Sequence, residues 1–347
     1  MKKFITFVLT MLGLNSACSQ SPFDNASVTE FAELSHLSNV QLLDVRTAQE
    51  YDEGHLLGAI NIDMQDDAFI SHATEQLDTA LTVAVYCRSG RRSATAASKL
   101  VKQGFKVVNL KGGILAWQDA GLPTTTLPTQ LDLVATPGGK MVRLQALMHA
   151  SLRISMGSTD IEVDPVGKLG PRTVDYSAMP KPRYILVTHE HGDHLDPQVI
   201  ALLRAEGTRV ITNERCAQQL GYGEVMHNGD ALELEPGITL RAVPAYNTTP
   251  EHLQFHPKGR DNGFVLTIDG LNIYIAGDTE DIPEMANLGH IDVALLPCNQ
   301  PYTMTLQQLV HAASMVKPTI LIPYHFGKTD MSQLPDTLGA RIHTLFE

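Results

Sequence analysis

Residues 184–196 constrain this chain more than any other stretch, because a short apolar run leads there into a cluster of histidines and acids. His189 and His191 stand two positions apart just past that run, so in extended chain their side chains point the same way. Asp193 and His194 follow in the turn and can face them from the other side. Mixed imidazole and carboxylate ligation with an open position suits Zn(II), Fe(II) or Mn(II) and is typical of catalytic sites. The stretch therefore predicts a metal centre whose two half-sites share one loop.

Residues 188–194, Thr-His-Glu-His-Gly-Asp-His, resemble the H-x-H-x-D-H signature of the metallo-β-lactamase fold. The resemblance extends over residues 131–347 and implies an αββα sandwich. It also implies that Asp164, at a strand end, orients a ligand without binding metal itself. The resemblance further implies two divalent metal ions, zinc or else manganese or iron, and Asp193 as a catalytic residue. The implied metal ligands are His189, His191, Asp193, His194, His256, Asp278 and His325.

The third histidine of the His189/His191 half-site is an open choice. Many relatives carry histidine where this chain has Val243-Pro244-Ala245-Tyr246-Asn247. His256 is the best replacement because it precedes a strand-like run, and His252 is the alternative.

Three further side chains each have two interpretations. His149 either lies near the metal site, as a histidine of related sequences does, or is a hydrogen-bonded core residue. Lys258 and Arg260 either meet an anionic group of the substrate or belong to a solvated basic turn.

Residues 26–125 alternate apolar runs with helical stretches, which predicts an α/β domain with a parallel sheet. Cys87 follows the run 81–86 and begins a loop closed by a helix that we expect to open at Ser93. Loop amides, the helix dipole and nearby arginines should all favour a thiolate, so Cys87 is predicted to be a nucleophile. The loop residues expected to hold an anion or persulfide are Arg88, Ser89, Gly90, Arg91 and Arg92.

This domain resembles a single-domain rhodanese. The resemblance rests on Asp44-Val45-Arg46, Glu50, Gly54-His55, Gly58-Ala59-Ile60-Asn61, the Cys87 loop, Gly112-Gly113 and Trp117, which occur in the family's order. It implies that Cys87 carries sulfane sulfur as a persulfide and passes it to a thiol or cyanide. Related phosphatases place their arginine one residue later, where this chain has Ser93, so sulfur transfer is favoured over phosphoryl chemistry.

The N-terminus has the layout of an export signal, with lysines at 2–3 and an apolar run at 4–14 that is too short to span a bilayer permanently. Residues 15–18, Asn-Ser-Ala-Cys, resemble a bacterial lipobox, although the family prefers leucine in place of asparagine. We expect residues 1–18 to be a signal ending in a lipidated Cys18, with ordinary cleavage after Ala17 as the alternative.

The resemblance to lipoproteins implies a periplasm-facing position in the bacterial envelope, with a lipid anchor as the only membrane contact. Ser19 favours the outer membrane by resemblance to bacterial sorting rules. The formal net charge of −12 argues against nucleic acid as a partner, because phosphate binding depends on clustered Lys and Arg.

The function expected from these features combines two activities. One is metal-dependent hydrolysis of an ester, lactone or phosphodiester in a small molecule, and the other is sulfur transfer from a sulfane donor to a thiol. The lactonase-like and phospholipase-like branch of the metallo-β-lactamase fold is the nearest by resemblance, through Ala276-Gly277-Asp278-Thr279 and Pro323-Tyr324-His325. The alternatives are an Fe(II) persulfide dioxygenase and a non-catalytic metal- or sulfur-binding protein.

Overall fold

The computed structural model describes residues 22–35, 37, 39–126 and 130–347. The predicted signal, with Cys18, lies outside these residues. Within them, no helix is both long and apolar enough to cross a membrane.

The first part of the chain alternates strands and helices around one sheet. Its elements are β1 (Asp24–Ala26), α1 (Val28–Ser35), β2 (Val40–Asp44), α2 (Ala48–Asp52), β3 (Ala59–Asn61), α3 (Phe69–Gln76), β4 (Thr82–Tyr86), α4 (Arg91–Val101), β5 (Lys106–Leu110) and α5 (Gly113–Asp119). The strands pair in parallel in the order β1-β5-β4-β2-β3. Helices cover both faces of such a sheet, which is why β2 is buried at every position.

The second part of the chain begins with a mixed sheet. Its elements are β6 (Leu131–Ala135), β7 (Met141–Met148), β8 (Ser151–Met156), β9 (Thr159–Val163), the hairpin β10 (Lys168–Leu169) and β11 (Arg172–Thr173), β12 (Tyr184–Val187), α6 (Pro197–Leu203), β13 (Arg209–Thr212), α7 (Glu214–Leu220) and β14 (Glu224–Val225). The seven-stranded sheet runs in the order β14-β13-β12-β9-β8-β7-β6.

A six-stranded sheet then follows in chain order. It consists of β15 (Ala231–Glu235), β16 (Ile238–Ala245), β17 (Asp261–Ile268), β18 (Leu271–Ile275), β19 (Val293–Pro297) and β20 (Ile320–Tyr324), with α8 (Leu306–Val316) between the last two strands. Short 3-10 helices occupy Tyr176–Ala178, Pro250–His252, Pro283–Asn287, Met331–Gln333, Asp336–Leu338 and Thr344–Phe346.

The two larger sheets of the second part share one apolar core. Ile154 and Ile161 from the first sheet belong to the same buried cluster as Phe264 and Leu266 from the second. Burial of this interface supplies the main driving force for the sandwich, at about 25 cal/mol per Å² of apolar surface removed from water. The expected architecture, a parallel α/β domain followed by a sandwich, is confirmed.

Two helices have boundaries that differ from the expected ones. The helix after the cysteine loop begins at Arg91 and not at Ser93, because Gly90 takes a left-handed φ of 89° and turns the chain into the helix earlier. The sequence predicts the first helix over residues 29–37, whereas the helix runs over Val28–Ser35.

Arg143 on β7 joins the two parts of the molecule. Its guanidinium donates to the carbonyl oxygens of Leu37, at 3.1 Å, and Val40, at 2.6 Å, both in the first part of the chain. The side chain is buried, so these hydrogen bonds replace the water that the charge has lost.

Candidate functional site

Six of the seven predicted metal ligands follow the carboxyl ends of strands from both sheets of the sandwich, and His256 lies in the loop between β16 and β17. The loop 188–194 follows β12, Asp278 follows β18, and His325 follows β20 directly. The carboxyl ends of parallel strands meet at one edge of a sheet, and the sandwich brings the two edges together. Strand-end side chains far apart in sequence therefore reach a common point.

Three histidines form one half of the cluster. His189, His191 and His256 each offer a ring nitrogen, and these atoms lie within 4.8 Å of one another. His189 Nε2 is 3.1 Å from His191 Nδ1. The structure thus places His256 beside the His189/His191 pair.

Asp193, His194 and His325 form the other half, and His149 joins them with one ligand atom in the same 4.8 Å range. His149 Nε2 lies 3.3 Å from Asp193 Oδ2. Its ring centroid is 3.8 Å from that of His325. Of the two interpretations of His149, the geometry favours the one near the metal site.

Asp278 lies between the two halves. Its carboxylate oxygens are 3.8 Å from His189 Nε2, 3.4 Å from His256 Nε2, and 3.3 Å from both His194 Nε2 and His325 Nε2. This buried carboxylate is in reach of histidines from both halves, as a bridging ligand must be.

Two further carboxylates orient histidines by contacting the ring nitrogens that face away from the cluster. Asp164 is fully buried and accepts hydrogen bonds from Thr188 N and Thr188 Oγ1, at 2.8 and 2.7 Å, while its Oδ2 lies 2.8 Å from His194 Nδ1. Asp261 Oδ2 lies 2.9 Å from His256 Nδ1. Such contacts fix the ring orientation and leave the Nε2 atoms of His194 and His256 facing the cluster.

The electrostatics of the cluster favour positive charge. Burial opposes the charged form of His256, but Asp261 and Asp278 outweigh it and raise the pKa of His256 to about 9. Burial likewise opposes protonation of His194, yet Asp278 and Asp164 raise its pKa well above the usual value. His189 behaves differently, because burial and the nearby His194 lower its pKa.

Several buried polar atoms of the cluster lack a hydrogen-bond partner within the described part of the chain. They are His194 Nε2, Asp278 Oδ1, and both ring nitrogens of His325. Leaving buried polar atoms unpaired costs about 1–3 kcal/mol each. Divalent cations would accept these lone pairs and would also supply the positive charge that the cluster favours. The donor set therefore fits the metal ions that the sequence implies.

The loop 247–256 carries the other residues considered as ligands. His252 Nδ1 lies 3.0 Å from Glu280 Oε1, and His252 belongs to none of the candidate metal clusters among the described residues. Asn247 donates its side-chain amide to the carbonyls of His252, at 3.2 Å, and Tyr302, at 2.9 Å. Asn247 therefore ties two loops together.

Lys258 and Arg260 are both paired with carboxylates. Lys258 Nζ is 2.8 Å from Glu284 Oε1. Arg260 Nε is 2.7 Å from Asp261 Oδ1. Lys258 is exposed, which fits the solvated turn, whereas Arg260 is largely buried against Asp261 and Glu190.

A cavity of about 310 Å³ opens onto the cluster. Its lining consists of His191, Asp193, Phe255, His256, Asp278, Asn299 and Tyr302. A small molecule that enters this cavity meets predicted ligands from both halves of the cluster.

Cys87 ends β4 at a second candidate site. Burial raises the pKa of the Cys87 thiol, but hydrogen bonds from Ser93 and from the amides of Ser89 and Gly90 outweigh it, so the pKa is lowered. The Ser93 hydroxyl lies 3.4 Å from Cys87 Sγ. Gly113 packs so tightly on this loop that a side chain there would meet the Cys87 carbonyl at 2.4 Å.

The arginines of the loop contribute less to Cys87 than expected. Arg92 forms a two-bond ion pair with Glu50, with both N–O distances 2.6 Å. Arg88 and Arg91 are exposed. Hydrogen bonds from the Ser93 hydroxyl and from loop amides are the largest effects that lower the pKa of Cys87, because these groups lie in hydrogen-bonding range of its sulfur.

Two buried carboxylates of the metal site were not identified in the sequence, Asp261 and Glu280. Asp261 stands five residues after His256 at the start of β17, and that spacing is a weak signal. Glu280 stands two residues after Asp278, where an acid in a turn carries no distinctive pattern.

Comparison with known proteins adds two family matches. Residues 27–120 match the model of the rhodanese-like domain, and residues 143–325 match that of the beta-lactamase superfamily domain.

Individual relatives are similar to the second part of the chain. A UPF0173 metal-dependent hydrolase of Ligilactobacillus salivarius is 33% identical over 187 residues, which are 52% of this chain and 82% of the relative. The crystal structure of a proposed metal-dependent hydrolase of Parabacteroides distasonis is 47% identical, with a TM-score of 0.60, over 62% of this chain and 99% of that one. A metallo hydrolase of Ignicoccus hospitalis, 24% identical with a TM-score of 0.51 over 59% of this chain and 96% of its own, shares the fold.

Proposed function

The chain belongs to the beta-lactamase superfamily and carries a rhodanese-like domain, and from this premise we propose that it is an enzyme with two separate sites. The first hydrolyses an ester, lactone or phosphodiester, as in the lactonase-like and phospholipase-like branch of the fold. The second transfers sulfur through Cys87. The observation that carries the first activity is the convergence of the six other predicted ligands around Asp278, with buried donor atoms left unpaired among the described residues.

The residues that would hold the metal ions divide between the two halves of the cluster. His189, His191 and His256 would hold one ion and Asp193, His194 and His325 the other, with Asp278 shared. Zinc suits this nitrogen and oxygen donor set, with manganese or iron as alternatives. When bound, such ions lower the pKa of a water ligand toward ~7 and polarise the bond to be cleaved.

The chain's own residues prepare the site for this chemistry. Asp164 and Asp261 hold two histidines in fixed orientations from behind. Burial alone would raise the pKa of Asp193, but the imidazoles of His149 and His325 keep it well below its usual range, so the group is ionised. Asp193 lines the cavity and its side chain is one-third exposed, which supports a role for its carboxylate in directing the proton that leaves the attacking water.

The sulfur-transfer step begins with the Cys87 thiolate. Its sulfur attacks the outer sulfur of thiosulfate, the S–S bond of thiosulfate breaks, and sulfite leaves with the electron pair while a Cys87 persulfide forms. A thiol or cyanide then attacks the outer sulfur and releases the Cys87 thiolate. The lowered pKa of Cys87 supports this role, because the thiolate is the nucleophile.

Matched variants of the full chain test the two-site proposal. His189→Ala should abolish hydrolysis across a panel of esters, lactones and phosphodiesters while thiosulfate-to-cyanide transfer persists. Cys87→Ser should do the reverse, and Cys216→Ser and Cys298→Ser serve as controls for cysteine loss. Elemental analysis of protein purified without added metal accompanies the panel. Two zinc or manganese ions per chain support hydrolysis, one iron ion supports a persulfide dioxygenase, and no metal supports a non-catalytic binding protein. Loss of both activities in one folded variant would contradict separate sites.

We further propose that the mature protein is anchored by lipid on Cys18 in the bacterial envelope, at the outer membrane. Stable anchoring needs more than one acyl chain, because each buried CH₂ contributes only ~0.8 kcal/mol, and a multiply acylated cysteine meets that condition. Fractionation of cells should find wild type in membranes and Cys18→Ala elsewhere or unprocessed. Wild type entirely in the soluble periplasmic fraction would favour cleavage after Ala17 instead.

A further inference from the structure

The cavity at the metal cluster has an aromatic wall. Of its lining residues, Phe255, Asn299 and Tyr302 are not predicted ligands. The rings of Phe255 and Tyr302 contact each other edge to face, with centroids 5.0 Å apart and an interplanar angle of 69°. Tyr302 is 45% exposed, so much of its ring surface is available to a bound molecule.

Buried polar groups hold this wall in place. Asn247 is 1% exposed and donates to carbonyls on both loops that carry the wall, those of His252 and Tyr302. Glu280, which is fully buried, accepts hydrogen bonds from the same loop at Thr248 and Thr249. A wall fixed by such contacts is pre-organised, so little conformational entropy of the protein is lost when a ligand binds.

The charge of the cavity also restricts its ligand. Asp193 and Asp278 line it with carboxylates and His191 and His256 with imidazoles, and neither Lys nor Arg lines it in the described ranges, which omit residues 1–21, 36, 38 and 127–129. The nearest basic turn offers no free cation, because Lys258 and Arg260 are paired with Glu284 and Asp261. Sites that transfer phosphoryl groups commonly add Arg or Lys to their metals.

We infer that the substrate is a neutral ester or lactone with an apolar ring or chain beside the scissile bond, an inference that rests on the proposed hydrolysis. The apolar group packs on Phe255 and Tyr302. The side-chain amide of Asn299, for which the described structure shows no hydrogen bond, faces the remaining polar part of the substrate. Phosphodiesters are disfavoured because, among the described residues that line the cavity, neither Lys nor Arg would add to the metal ions in meeting their charge.

Two substrate pairs test the inference on the full, zinc-loaded chain. Methyl phenylacetate and methyl acetate share a leaving group and differ in the ring, and we expect kcat/KM about tenfold higher for the phenylacetate. 4-Nitrophenyl phenylacetate and bis(4-nitrophenyl) phosphate release the same product and differ in charge, and we expect the ester to be preferred.

Variants of Tyr302 test whether the aromatic wall causes the preference for methyl phenylacetate over methyl acetate. Tyr302→Ala should reduce kcat/KM about tenfold more for methyl phenylacetate than for methyl acetate, whereas Tyr302→Phe, which keeps the ring, should retain the preference. Leu202→Ala is the matched control, because Leu202 is similarly exposed, at 43%, on α6 and outside the cavity lining. Phenylacetamide should inhibit the wild type competitively and the Tyr302→Ala variant about tenfold less tightly, which measures binding apart from turnover.

The outcomes separate the inference from the function on which it rests. If wild type hydrolyses none of the four substrates above the His189→Ala background, the proposed hydrolysis itself fails. If bis(4-nitrophenyl) phosphate is the better substrate, hydrolysis stands and the neutral substrate class is wrong. Equal kcat/KM for the two methyl esters, or equal losses for both in Tyr302→Ala, would overturn the role of the aromatic wall.

Discussion

Glu280 is a buried carboxylate that holds the loop 247–256, and Glu280→Gln removes its charge with little change of size. Its Oε2 accepts hydrogen bonds from Thr248 N, Thr248 Oγ1 and Thr249 N, each at 2.7 Å, and its Oε1 lies 3.0 Å from His252 Nδ1. Hydrogen bonds to a charged acceptor are the stronger kind. We therefore expect Glu280→Gln to destabilise the protein.

The pKa of Glu280 sets the magnitude of this effect. Burial alone would raise it, but the hydrogen bonds from Thr248, His252 and Thr249 lower it from the ordinary 4.5 to about 2. One pKa unit corresponds to ~1.36 kcal/mol, so the ionised carboxylate contributes about 3 kcal/mol to the free energy of unfolding. Because the folded pKa is depressed, this stabilisation is complete above the unfolded value near 4.5 and is lost as pH falls toward 2.

Urea unfolding followed by circular dichroism measures the difference between wild type and Glu280→Gln. The difference should be about 3 kcal/mol at pH 7 and about half of that near pH 3, because folded Glu280 is still ionised there while the unfolded chain is protonated. The control is Glu224→Gln, whose exposed pair with Arg209 should contribute less than about 1 kcal/mol. A difference below 1 kcal/mol at pH 7, or one that is equal at both pH values, would refute this account of Glu280.

Three further predictions concern the two sites. Asp164→Asn should weaken zinc binding about 10- to 100-fold in a chelator competition titration, because Asp164 orients His194 from behind, and unchanged affinity would contradict that role. Ser93→Ala should shift the pH midpoint of sulfur transfer upward, because the Ser93 hydroxyl helps to lower the pKa of Cys87, and a midpoint equal to that of wild type would assign the effect to the amides alone. Removal of metal with a chelator should lower the thermal unfolding midpoint of the second part of the chain, because the free energy of metal binding to the folded state is lost. Calorimetry measures the midpoint, and metal added back is the control. An unchanged midpoint would show that bound metal does not stabilise the fold.

Parts of the metal site follow from sequence because strand periodicity places them. His189, His191 and Asp278 come directly after apolar strands, and a strand end projects its next residues at a defined edge of the sheet. The position of Cys87 after β4 follows in the same way. Loop amides were expected to stabilise the thiolate, and the structure adds the Ser93 hydroxyl, while Arg92 pairs with Glu50.

The sequence by itself determined the parallel α/β domain, the position of Cys87 and the metal-binding character of residues 189–194, because short-range periodicity and residue chemistry are sufficient for these. The sandwich and the ligands Asp278 and His325 followed from the resemblance of sequence motifs to a known fold. Only the tertiary structure decided between His256 and His252. That choice depends on how the loop 247–256 folds, and contacts that are distant in sequence set its path. Asn247 reaches the Tyr302 carbonyl 55 residues later, and Glu280 reaches back to Thr248 over 32 residues. Hydrogen bonds of such a span form only once the second sheet is assembled, so no local pattern in the sequence records them.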